Sequence, residues 1–196
     1  MDKIKAIQSV NEIKELMERS SKFVSLSGLT GILVGLYSLI GAWVAYSSMN
    51  VLATTRLYDV VLIALVVLTV SVVTAFLVSY YKSKRSNQKL FNKLTYRIVW
   101  NFSIPLLTGG LFCLALLYHQ HYGLTSSVML LFYGLSLVNV SKYTFSNVAW
   151  LGYAFLFLGI LDAFFEGYGL LFWTLGFGVF HIIYGILFYF LYEKNR

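Results

Sequence analysis

Apolar residues in this chain come in long unbroken runs rather than at spaced positions. Residues 23–55, 60–81 and 167–192 hold no Asp, Glu, Lys or Arg, and between residues 98 and 161 the only charged residue is Lys142. A stretch of about 20 apolar residues spans the hydrocarbon layer of a bilayer as a helix. Only a helix or a closed barrel satisfies the backbone there. The runs lack the two-residue alternation of barrel strands, which excludes the barrel. The pattern therefore predicts an all-α, polytopic transmembrane helical bundle. Its six spans are expected at residues 23–46, 60–81, 98–118, 124–141, 148–165 and 170–192. The uncharged stretch from 98 to 141 is too long for one crossing. The polar segment His119-Gln120-His121-Tyr122-Gly123 is where it must turn.

Charge adds an orientation. Of the 15 Lys and Arg residues, all but Arg56 fall on one side of such a bundle. They lie before residue 23, between spans 2 and 3, at Lys142, and at Lys194 and Arg196. Cytoplasmic loops retain basic residues, so both termini are expected in the cytoplasm and the protein in the inner (cytoplasmic) membrane. Trp43 and Trp173 fall toward one set of span ends and Trp100 and Trp150 toward the other, the depth that amphipathic rings favour. The formal net charge of +7 is then largely topological. The basic loop Lys82, Lys84, Arg85, Lys89 and Lys93 also suits anionic lipid heads. No nucleic-acid-binding fold accompanies the charge.

Residues 1–22 are charged and carry no apolar core of a cleavable signal, so span 1 is expected to act as its own insertion signal. Ala6, Val10, Ile13 and Met17 share a face of one amphipathic cytoplasmic helix. That helix suits the inner membrane surface, a cytoplasmic protein partner or a second copy. Residues 193–196 form a short cytoplasmic tail. The lone Cys113 cannot make an internal disulfide.

Candidate chemistry is sparse. Gly31 and Gly35 have the GxxxG spacing of close helix contacts, within the chain or in a homodimer. Pro105 removes the N–H that would bond the Asn101 carbonyl, so a kink is expected there, with Asn101 or Ser103 re-satisfying the freed group. Asp162 and Glu166 are spaced to share a helix face, and with His119 and His121 they form a weak candidate metal or proton set. His181 lies mid-span, where an ionisable group faces the bundle interior; Tyr184 or an Asn on another helix is its expected partner. Asn139 and Lys142 share one face, and with Tyr143 and Asn147 they could line an inner vestibule unless Lys142 snorkels outward. Asn101, Asn139, Lys142, His181 and Tyr184 are thus the intramembrane polar candidates. No hydrolase motif, catalytic residue or cofactor signature is present.

The runs Gly167-Tyr168-Gly169-Leu170-Leu171-Phe172-Trp173 and Gly176-Phe177-Gly178-Val179-Phe180-His181-Ile182-Ile183-Tyr184-Gly185 are joined by Tyr133-Gly134-Leu135-Ser136-Leu137-Val138-Asn139 and Leu151-Gly152-Tyr153. Together they resemble a group of uncharacterised bacterial membrane proteins with six predicted spans. The resemblance implies a span count and a bacterial inner membrane, and assigns no activity. Three functional readings stay open. The first is a non-enzymatic sensor, scaffold or regulatory partner; the second a small-solute or ion carrier or channel; the third a metal-dependent intramembrane enzyme.

Overall fold

The computed structural model describes residues 27–51, 57–85 and 93–194. Residues 1–22, Lys89 and Arg56 lie outside the described residues, and so does the tail beyond Lys194. All regular structure among the described residues is helical. Six helices are long and apolar enough to cross a membrane. They are α1 (Gly28–Val51), α2 (Leu57–Arg85), α3 (Lys93–Tyr118), α4 (Thr125–Val140, continued by helical turns over Tyr122–Tyr143), α5 (Asn147–Phe164) and α6 (Gly169–Glu193). Short 3-10 turns, Tyr122–Leu124 and Ser141–Tyr143, flank α4.

Each helix follows from its unbroken apolar run, and its ends follow from where polar groups return. Asp59 sits in the first turn of α2 and Lys82, Lys84 and Arg85 in its last, the charge order that a helix dipole favours. The break expected at 119–123 is a tight turn. The His121 amide donates to the Leu116 carbonyl at 2.8 Å, and Gln120 takes a left-handed φ of 62°. Gly167, at φ 91°, turns the chain from α5 into α6, a conformation that a side chain would strain.

Neighbour relations run α2–α1–α6, then α4 and α5, with α3 on the far side of α4. The α1–α6 crossing is made by small residues. A methyl group added at Gly31 would lie 3.1 Å from the His181 carbonyl oxygen, and one at Gly35 would lie 2.6 Å from that of Gly178. Lipid removes the hydrophobic drive between helices, so close backbone packing carries association. The GxxxG face of α1 is therefore covered by α6 of the same chain and is not open to a second copy. The α4–α5 pair uses the same device, with Gly134 against the Gly152 carbonyl. Around it lies the main core of Leu130, Leu137, Val140, Val148, Leu151, Phe155 and Leu158. Between Asp59 and Lys82 no residue of α2 is buried.

Pro105 sits inside α3, and the carbonyl it orphans has a partner from another helix. Asn139 Nδ2 of α4 donates to the Asn101 carbonyl oxygen at 2.9 Å. The Asn101 side chain instead donates to the Arg97 carbonyl at 2.8 Å. This corrects the expectation of a local repair by Asn101 or Ser103: a proline defect in α3 has become a lock between α3 and α4. It also turns Asn139 toward α3, away from the vestibule considered with the exposed Lys142.

Candidate functional site

Polar side chains enter the bundle at three levels. At the basic end, Glu193 from the end of α6 reaches the start of α1. Its Oε2 accepts from the Gly28 amide at 3.3 Å and from Ser27 Oγ at 3.5 Å. Its Oε1 pairs with Lys82 of α2. One carboxylate thus caps the dipole of α1 and joins three helices. Every Lys and Arg among the described residues lies at this end: Lys82, Lys84, Arg85, Lys93, Arg97, Lys142 and Lys194. Lys82, counted with the lipid-facing basic loop, is half-buried on Glu193, whereas Lys84, Arg85 and Lys93 are exposed.

At mid-depth His181 is 5% exposed. It follows a stretch of wide π-turns, Thr174–Phe180, inside α6. Such turns add a residue per turn, re-aim side chains, and recur at functional sites. Here His181 Nε2 lies 2.7 Å from the Tyr133 hydroxyl, and Nδ1 lies 3.4 Å from the Gly176 carbonyl, five residues back. A carbonyl only accepts, so the contacts select the tautomer in which Nδ1 carries hydrogen and Nε2 accepts from Tyr133. The Tyr133 ring centroid is 4.8 Å from that of Phe155, 5.0 Å from Phe177 and 5.9 Å from Phe102. Tyr133 is therefore a hub touching α3, α5 and α6. The partner of His181 is Tyr133 and not Tyr184, whose buried hydroxyl has no partner among the described residues. The sequence held a signal for this. Counted from the helical turn at Tyr122 and from Gly169, where two parallel spans begin, Tyr133 and His181 fall at similar distances.

At the end opposite the basic residues, Asp162 of α5 is 1% exposed, and neither carboxylate oxygen has a hydrogen-bond partner among the described residues. Ser127 of α4, also 1% exposed, has an unpartnered hydroxyl. Helix register places the two opposite each other. A methyl at Gly159 would meet Leu130 Cβ at 3.1 Å, and three residues onward along α5 and back along α4 stand Asp162 and Ser127. Sequence reasoning missed Ser127, because a lone serine in an apolar span carries no signal until its facing helix is known.

The four metal candidates do not come together. His119, His121 and Glu166 are exposed near the turn at this end, whereas Asp162 points into the bundle. The shared face predicted for Asp162 and Glu166 fails because α5 ends at Phe164, and Glu166 lies past it in the turn. Among the described residues no three His, Cys, Asp or Glu side chains form a metal-binding group. Cys113 is buried against α4, its Sγ 3.7 Å from the Thr125 carbonyl. No family model, curated protein or solved structure matches the chain.

Proposed function

We propose that this chain is a multi-pass protein of the bacterial inner membrane, with its basic end in the cytoplasm. It works as a non-enzymatic sensor, scaffold or regulatory partner through that end. The observation that carries this reading is the gathering of every described Lys and Arg at one end, where Glu193 ties α1, α2 and α6 together. Such an end offers a fixed charged platform above a closed bundle. The amphipathic residues 1–22 and the loop holding Lys89 adjoin it in sequence. The middle of the bundle supports this over a carrier. A transport path would need water to pass His181, which is instead bonded to Tyr133 and packed among Phe155 and Phe177.

Two experiments test the proposal. In intact cells a membrane-impermeant maleimide is expected to label a cysteine placed by G123C, and one placed by K84C only after lysis. The reverse pattern overturns the orientation. For the role, full-length protein purified in mild detergent is compared with a form lacking residues 1–20. Loss of co-purifying proteins with an unchanged gel-filtration profile is expected. Equal recovery from both forms removes the platform reading.

A further inference from the structure

We infer that Asp162 and Ser127 form a binding site for a small monovalent cation of the sodium class, between α4 and α5 at the end away from the basic residues. The inference goes beyond the platform reading and does not depend on it.

Three observations converge. Asp162 is a buried carboxyl with both oxygens unpartnered among the described residues, and an unpaired charge out of water is expensive. A conserving fold would place a cation beside it, yet every described Lys and Arg lies at the other end of the bundle. His181, the buried imidazole, is engaged by Tyr133. Among the described residues nothing neutralises it, and a cation taken up from solution would. Second, the buried, unpartnered Ser127 hydroxyl belongs to the residue that helix register sets at the level of Asp162, and it can supply a further hard oxygen donor. Third, Asp162 belongs to the last turn of α5, where the Phe165 amide donates to the Leu161 and Asp162 carbonyls. The carbonyl end of a helix repels an anion and attracts a cation. The position is thus poor for an isolated carboxylate and good for a carboxylate holding a cation.

The donor set selects the ion. One carboxylate with one hydroxyl balances a single positive charge. A divalent ion would leave net charge buried. Soft metals need thiolate or imidazole ligands, and Cys113 is turned to the Thr125 carbonyl on the α3 side. Helix α6 closes the site from the third side. Gly169 lies against Ser126, and Gly176 against Leu130, so the segment between them runs alongside this stretch of α4.

The test uses the full chain purified in detergent and radioactive sodium ion as probe. Saturable binding is expected, displaced by unlabelled sodium and not by choline, together with a sodium-dependent rise in melting temperature. Asp162→Asn keeps the side-chain shape and is expected to abolish binding. Ser127→Ala is expected to weaken it by about five- to tenfold, the loss of one ligand of hydrogen-bond strength. Absence of saturable sodium binding to folded wild-type protein overturns the proposal, and so does wild-type affinity in Asp162→Asn. A site that holds only water binds no sodium and gives that same overturning result. Should Asp162→Asn aggregate on gel filtration, the wild-type isotherm and Ser127→Ala decide.

Discussion

Helices α2 and α5 are both apolar runs of membrane-spanning length, yet they have opposite relations to the rest of the molecule. Helix α2 is rich in Val and Leu without a single glycine, packs on α1, and buries no residue between Asp59 and Lys82. Helix α5 carries Gly152 and Gly159, meets α4 along its length, and buries Phe155 completely. The contrast teaches that apolarity decides whether a helix crosses, while small residues decide whether it is packed or bare. Val and Leu are as content against lipid tails as against protein. A glycine that admits a neighbouring backbone is useful only against protein.

The comparison can be broken most sharply at Gly152. A leucine there would drive side-chain atoms into Val138 and the Gly134 carbonyl. We expect Gly152→Leu to cost about 3 kcal/mol or more, read as a large fall in thermal midpoint in detergent; an unchanged midpoint would refute tight α4–α5 packing. Asn139→Leu should cost about 1–3 kcal/mol, because the Asn101 carbonyl loses its donor. Adding Pro105→Ala returns an amide to that carbonyl, so the double variant should recover much of the loss. A double-mutant cycle with no coupling would sink the interhelical repair. Tyr133→Phe removes one hydroxyl from His181 and should lower stability by about 1 kcal/mol. At the other pole, Val72→Leu on exposed α2 should stay within about 0.5 kcal/mol of the parent. A large effect there would mean that α2 is covered by something outside the chain.

Much of the architecture was legible in the sequence. Charge-free runs gave the helix number, and the polar break at 119–123 separated α3 from α4. What was hidden depends on which residues meet. The end of α5 at Phe164, ahead of Glu166, separates two carboxylates that sequence spacing had paired. The wide turns before His181 redirect its ring, and no propensity scale marks them beyond the Gly176-x-Gly178 pair. The exchange between Asn139 and the Asn101 carbonyl needed α3 and α4 to be side by side, a fact about packing rather than pattern. Asp162 was singled out for the company of exposed neighbours and turns out to matter for its isolation from them.

The α1–α6 crossing has a bearing on biogenesis. A ribosome delivers α1 first and α6 last among these helices, so the glycine face around Gly31 and Gly35 waits without its mate while four other helices emerge. Any product stalled before Gly169 would present that face bare, together with an uncapped start of α1 that Glu193 has not yet reached. Completion of the fold is thereby tied to completion of the α6 segment, and a quality-control protease would have a ready mark by which to tell the unfinished chain from the finished one.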